Sequence, residues 1–352
     1  MNMESRIKGC MLGGAVGDAL GAPVEFLSLE HIRNQFGHNG ISQYAPAYGR
    51  RGAITDDTQM TLFTAEGLLR GEARGRSGKS SEFVAAVHEA YLRWLLTQRD
   101  ASSNKVFLQA TRREMLGWLY RLPALRSRRS PGTTCITGLR SEVMGTMERP
   151  INSSKGCGGL MRVTPVGLFF DDAATAFDMG CRIAAITHGH PSGYLAAGAC
   201  AALIRMLLEG QTLRESLNLV VDFLKSKRGH EECVLALEKA LAEAMEGKPS
   251  PEAVEHLGAG WVAEEALAIA VYCSLASNSD FRKGVLLAVN HSGDSDSTGA
   301  ITGSLLGSMM GVENIPAEWL EDLEIREAIE QVAVDLSIRY KGEAEWGSKY
   351  PV

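Results

Sequence analysis

Two short stretches carry the groups with the clearest chemical potential. Ile54-Thr-Asp-Asp-Thr-Gln59 sets two carboxylates between hydroxyls just ahead of the amphipathic segment Met60–Leu69, and Asn290-His-Ser-Gly-Asp294-Ser-Asp296-Ser-Thr298 repeats the pattern ahead of a glycine-rich segment. A single acid or hydroxyl at such a place is a helix cap, accepting from the unpaired N–H groups of the first turn. Capping explains one acid per helix start, not two at both. Four carboxylates drawn together repel, at about 4 kcal/mol per close pair at an effective dielectric near 20, and two divalent cations would cancel their charge. Oxygen donors from Asp, Thr and Ser suit hard ions such as Mg²⁺ or Mn²⁺ and disfavour zinc. Asp294 and Asp296 stand two apart, so an extended stretch would turn both to one side. Ser297 and Thr298 would then cap the helix that follows.

The elements that must hold these acids are helices. Phe83, Val87, Tyr91 and Trp94 or Leu95 keep to one helix face. Segments 176–187, 193–208, 231–246, 260–277 and 325–340 behave alike, with alanine and leucine in place of β-branched runs. The one strand-like run, 162–170, contains Pro165 and is better read as entering a helix. Loops are expected at 37–52, 71–81, 127–138 and 152–159. None resembles an interdomain linker, so the chain reads as one compact all-α domain over residues 1–352, with 342–352 as a loosely held end.

Glycine is in excess, at 38 of 352 residues against only 11 prolines. Eight of these glycines form two sets with four-residue spacing: Gly9, Gly13, Gly17 and Gly21, then Gly299, Gly303, Gly307 and Gly311. On a helix each set is a stripe nearly free of side chains. Each glycine costs roughly 1 kcal/mol against alanine in a helix interior, and close helix–helix approach is the natural compensation. The first stripe contains Asp18 and leads to Glu25; the second begins at the candidate ligands Asp294, Asp296 and Ser297. Both are expected deep in the core, holding the acids from behind.

Composition narrows the function classes. Net charge is −6, so no global basic footprint for nucleic acid exists. Arg121, Arg126, Arg128, Arg129 and Arg140 cluster around one loop and are expected to be a solvated surface. Seven widely spaced cysteines with no C-x-x-C pair exclude a disulfide framework or structural zinc site and suit reduced thiols. Asp18 interrupts the weakly apolar start too early for a signal peptide. No run approaches about 18 uninterrupted apolar residues, and a soluble cytoplasmic protein is expected. Two phosphate motifs fail: Gly75-Arg-Ser-Gly-Lys-Ser80 lacks the first Walker glycine and a preceding strand, and Gly13–Gly17 lacks G-x-G-x-x-G spacing.

Taken in order, Gly17-Asp-Ala-Leu-Gly21 with Glu25, Thr55-Asp-Asp-Thr58, Ser154-Lys-Gly-Cys-Gly-Gly-Leu-Met-Arg162, Thr187-His188 and Gly293-Asp-Ser-Asp-Ser-Thr-Gly-Ala300 resemble the ADP-ribosylglycohydrolases, over residues 6 to about 311. The resemblance implies an all-α fold with a dinuclear Mg²⁺ or Mn²⁺ cleft. Thr55, Asp56 and Asp57 would ligate from one helix start, and Asp294, Asp296 and Ser297 from the other. Glu25 matches the acid beside the metals, and with Asp56 and Asp296 forms the candidate catalytic set. Asp18 is read as a buried support. Ser154, Gly156, Cys157 and Gly158 would contact ribose and diphosphate, with His188 lining the cleft. Cys157 stands where many relatives have asparagine, and no base is paired with it for a nucleophile's role. His190 and His291 are read as structural.

Implied activity is metal-dependent hydrolysis of the N-glycosidic bond between ADP-ribose and arginine on a modified protein. Some arginine-specific relatives carry an acid near the loop that here reads Ser130-Pro-Gly-Thr-Thr-Cys135, where proline and glycine take its place. Other ADP-ribosyl linkages (serine, O-acetyl-ADP-ribose, a nucleobase) are therefore alternatives. So is an immunity role, neutralising an ADP-ribosylating toxin by binding it. Partners implied are an ADP-ribosylated protein, a nitrogenase component or an ADP-ribosyltransferase toxin, with no nucleic acid and no membrane.

Overall fold

Glycine determines how the molecule is assembled around its axis. In the computed structural model, which describes residues 2–74, 80–340 and 344–352, helix Met3–Gly21 lies antiparallel against helix Ser295–Met310 with backbones touching. A Cβ on Gly9 would meet the Gly307 carbonyl oxygen at 2.6 Å, on Gly13 that of Gly303 at 2.3 Å, and on Gly17 that of Gly299 at 1.9 Å. Gly21 faces Ser295 and Asp296 in the same way, with Ser295 O at 2.3 Å from such a Cβ. Antiparallel pairing thus lays the end of the first helix on the start of the second. Asp18 and Glu25 are carried to Asp294 and Asp296 by this contact alone. Both stripes are buried as expected, and Gly311 ends its helix at φ +74°.

Other helices cover this pair. Asp56–Arg74 packs on Ser80–Thr97, Ala173–Ala185 on Pro191–Leu208, and Glu231–Glu246 on Ala263–Ala276. Among the described residues the only β pairing is two isolated bridges, Ala47 with Arg50 and Gly156 with Val262. The chain is a single all-α domain. Pro165 sits in the first turn of helix Thr164–Phe169, where its missing N–H costs nothing.

Several expectations need correction. Pro191–Leu208 is long and apolar enough to cross a membrane, with mean hydropathy 1.3, but 83% of it is buried in the protein. Its alanines and Gly198 pack on helix Ala173–Ala185, where a Cβ at Gly198 would meet Cys181 Sγ at 2.3 Å. Half of the expected 127–138 loop is helical, Thr133–Arg140. Gly71 belongs to helix Asp56–Arg74, and the Walker-like residues 75–79 lie outside the described part. Arg129 is not solvated: it is buried, pairs with Glu324, and donates to Ile54 O at 2.8 Å, bracing the residue before Thr55. All seven cysteines are free and buried.

Nor is the C-terminal end loose where it is described. Tyr350 is fully buried and donates to Asp335 Oδ2 at 2.6 Å, Lys349 pairs with the same carboxylate at 2.8 Å, and Arg70 Nη1 donates to Pro351 O at 2.8 Å. Tyr350→Phe is expected to lower stability by about 1 kcal/mol, the net worth of one buried hydrogen bond whose acceptor keeps another partner. Chemical denaturation would measure this, and an unchanged midpoint would count against the anchoring.

Candidate metal centre and cavity

Asp18 organises the acids. Fully buried on the first glycine helix, it accepts from Thr55 N at 3.0 Å, from Thr58 N at 3.1 Å and from the Thr58 hydroxyl. It therefore caps helix Asp56–Arg74 from another helix, setting a negative charge against the positive end of the dipole. Asp56 and Asp57 occupy that helix's first turn, and Asp56 Oδ2 accepts from Gly132 N at 3.2 Å.

Opposite them, Asp294 and Asp296 do not form the extended pair expected. Asp294 is the N-cap residue of helix Ser295–Met310 and Asp296 lies in its first turn, accepting from Ser297 N at 2.9 Å. The chain enters through Gly293 at φ +149°, where a Cβ would meet Ala259 O at 2.0 Å. Ser297 and Thr298 are not the caps either. Thr298 lies one turn in, its hydroxyl on Asp294 O at 2.8 Å and beside His291 Nε2 at 2.9 Å. His291 and His190, the N-cap of helix Pro191–Leu208, are structural as read.

One oxygen or more of Glu25, Asp294 and Asp296 lies within 4.8 Å of the others. Burial, then the Asp296 charge, raises Glu25 to about 10 and Asp18 to about 7. The same causes push Asp56, Asp57 and Asp294 well up from their ordinary values, and burial raises Asp296. No arginine or lysine pairs with any of them among the described residues. Glu25 Oε2 and Asp57 Oδ1 are buried with no hydrogen-bond partner. Mutually repelling, under-satisfied oxygens of this kind fit divalent cations.

Above the acids is a cavity of about 480 Å³, within the range of small-molecule sites. Glu25, Asp56, Asp57, Asp294, Asp296 and Ser297 line it, together with Gly156, Cys157, Gly158 and His188. Thr55 and Ser154 do not line it. Thr55 Oγ1 is 3.4 Å from Asp57 Oδ2 and accepts from Asp57 N at 3.3 Å, while Ser154 Oγ lies 3.1 Å from Thr134 Oγ1. Cys157 is buried, and burial with nearby Asp294 raises its thiol well above the usual value. These surroundings disfavour the thiolate that a nucleophile needs.

Some wall residues escaped sequence reading. Phe26, at φ +71° and 68% exposed, stacks on Trp261 with ring centroids 5.4 Å apart, and both border the cavity. The only signal was Phe26's place beside Glu25. Thr133 and Thr134 fell inside the misread loop.

His188 is held by a chain from a buried arginine. Arg162 Nη2 donates to Thr187 Oγ1 at 2.6 Å, and that hydroxyl lies 2.8 Å from His188 Nδ1. Thr187 accepts from the guanidinium, so its one proton goes to Nδ1, which leaves the imidazole proton on Nε2. The opposite tautomer would strand the hydroxyl proton in the core. Burial and Arg162 together lower His188 to about 3, so it is neutral. Nε2 borders Gly156 and Gly158 at the cavity wall and presents a donor there. Thr187→Val is expected to raise KM about tenfold with a smaller change in kcat, the worth of one hydrogen bond (about 1–1.5 kcal/mol). Steady-state kinetics with ¹⁵N NMR of the imidazole would test it. An unchanged Nε2–H signature would refute the relay.

The chain belongs to the ADP-ribosylglycohydrolase family, whose model matches residues 1–345. Its relatives include the ADP-ribosyl-[dinitrogen reductase] glycohydrolase of Rhodospirillum rubrum, 28% identical over 92% of each chain. The ADP-ribosylarginine hydrolase Tri1 of Pseudomonas putida (strain GB-1) is 25% identical over 94% of this chain and 77% of its own. Human ADP-ribosylhydrolase ARH3 is 22% identical over 94% and 93%. A solved ADP-ribosylglycohydrolase-related protein complex superposes with TM-score 0.65 at 27% identity, covering 96% of this chain and 99% of that one.

Proposed function

We propose that this ADP-ribosylhydrolase cleaves the N-glycosidic bond between ADP-ribose and an arginine of a modified protein, using two divalent cations, Mg²⁺ or Mn²⁺, in a reducing cytoplasm. The observation that carries the reading is the set of buried, unneutralised carboxylates lining a cavity large enough for a nucleotide. Asp56, Asp57, Asp294, Asp296 and Ser297 would hold the ions, which supply Lewis acidity and a water of lowered pKa.

This chain's own groups do the rest. Glu25 stands beside Asp294 and Asp296; ionised once bound cations cancel their charge, it would accept a proton from water attacking the anomeric carbon. The surrounding carboxylates favour the oxocarbenium-like transition state by charge. Backbone at Gly156–Gly158 and Nε2–H of His188 hold ribose or diphosphate oxygens. The Pseudomonas relative supports arginine by the substrate in its name, and the Rhodospirillum relative supports a modified protein as substrate. A second reading keeps the site and changes the linkage, favoured by the wall at Ser130–Gly132, which offers no acid to an arginine guanidinium. Release of free ADP-ribose from arginine-modified protein, beside serine-linked and O-acetyl substrates, decides between them. Full activity after exhaustive chelation would overturn the cation-dependent reading.

A further inference from the structure

Charge is distributed very unevenly in this acidic protein. Residues 99–140 hold nine arginines and lysines against only Asp100 and Glu114, while the rest of the chain holds 27 basic and 40 acidic residues. Arg99, Arg112, Arg113, Arg121 and Arg126 are exposed and have no carboxylate partner among the described residues. Asp100, almost buried, is already shared by Arg128 and Arg140. Arg99 and Arg126 border one hollow of about 330 Å³ with Tyr120 and Pro123, and Arg126 lies 5.3 Å over the Tyr120 ring. Elsewhere the half-buried Arg33, Arg182 and Arg326 are paired, with Glu252, Asp178 and Glu330, and the exposed Arg51, Arg149, Arg214 and Arg228 are scattered along the chain, not gathered in one segment.

This face is fixed rigidly beside the cavity. Gln59, on the helix that carries Asp56 and Asp57, donates to Ala124 O and Ser127 O, both at 2.9 Å. Thr133 and Thr134 line the cavity and open the eight-residue helix that ends at Arg140, a length of about 12 Å. Unpaired guanidinium forks match carboxylates in bidentate fashion. A basic face next to an acidic cavity steers a partner of matching polarity.

We propose that the Arg99–Arg126 face docks an acidic segment of the ADP-ribosylated protein, about four extended residues from the modified side chain. This rests on the reading that the substrate is a modified protein. The test uses two synthetic ADP-ribosylarginine peptides, one with glutamates three to six residues from the modified arginine and one with glutamines there. Binding is measured under chelation, so that no turnover is needed, for the parent and for R99E/R121E/R126E. Turnover of ADP-ribosylated agmatine, which has no peptide, is measured with cations present.

The parent is expected to bind the glutamate peptide about tenfold more tightly than the glutamine peptide at low salt. That preference should disappear in the variant and in high salt, with agmatine turnover unchanged. Equal binding of the two peptides by the parent would overturn the proposal. So would an unchanged preference in the variant, or retardation of an oligonucleotide by the parent alone with no peptide preference. If the parent binds with the preference but releases no ADP-ribose from agmatine, the arginine-linkage reading falls and the docking face stands.

Discussion

Asp296→Asn is expected to lower turnover by about 10³-fold, the scale on which removing one preorganised electrostatic group acts, while leaving the cation-free fold more stable. Asp296 is a leading source of the repulsion on Glu25, Asp18, Asp56, Asp57 and Asp294. Neutralising it relieves several close pairs at once, each worth up to about 4 kcal/mol at an effective dielectric of 20. Asp18 and Glu25 have folded values raised to about 7 and about 10, against unfolded values near 3.9 and 4.3. Their contribution to stability is full below about pH 4 and is lost as pH rises through those folded values. Cation-free parent protein should therefore melt at lower temperature at pH 8 than at pH 5, and Asp296→Asn should flatten that slope. Cations at about 100 Kd should restore about 2.7 kcal/mol to the parent at pH 8 and much less to the variant. Thermal melting with and without chelator checks each arm. A variant destabilised at pH 8 without cations would mean that repulsion by Asp296 is not what weakens the cation-free fold.

The acids were legible in the sequence because each lies in a short contiguous motif at a helix start, with a chemical oddity that capping could not absorb. The glycine stripes were legible for a similar reason: period four survives folding unchanged. What sequence could not supply was which stripe faces which, since pairing of Gly17 with Gly299 and of Gly13 with Gly303 is a relation across nearly 300 residues. Asp294 and Asp296 were misread as an extended pair because a two-residue spacing looks alike in a strand and across a helix start, and only the turn at Gly293 decides. Aromatic Phe26 and Trp261 carry no local pattern. Their stacking depends on a left-handed backbone at Phe26 and on the 259–262 turn, which meet only in the folded chain. The tail was misjudged because its anchor, Asp335, lies on another helix, and a terminal Tyr350 gives no hint of a buried partner. Arg129 differs from its neighbours for the same reason: Glu324 reaches it from nearly 200 residues away.

Gly17→Ala should be among the most damaging single methyls in the protein. The added carbon would lie 1.9 Å from Gly299 O, 2.2 Å from Gly299 C and 2.8 Å from Ala300 N. All three are backbone atoms of a buried helix, so no side chain can swing away, and the two helices must part. Alanine's gain in helix propensity is roughly 1 kcal/mol, whereas overpacking a tight core costs about 1–3 kcal/mol even where side chains can adjust. With backbone opposed on both sides, a loss of about 4 kcal/mol or more is expected, in the range reserved for broken cores. Gly17 also directly precedes Asp18, and Gly299 follows Asp296 by three residues, so parting the helices separates the two halves of the acid cluster. Any folded fraction of Gly17→Ala should therefore bind Mn²⁺ at least tenfold more weakly. Gly347→Ala, whose new methyl meets nothing within 4 Å in helix Ala344–Lys349, should be silent in both measurements. Denaturant unfolding and Mn²⁺ titration of the two variants give the comparison. Equal stability and equal cation affinity would show that the glycine contact neither sets the helix spacing nor holds the acids in register.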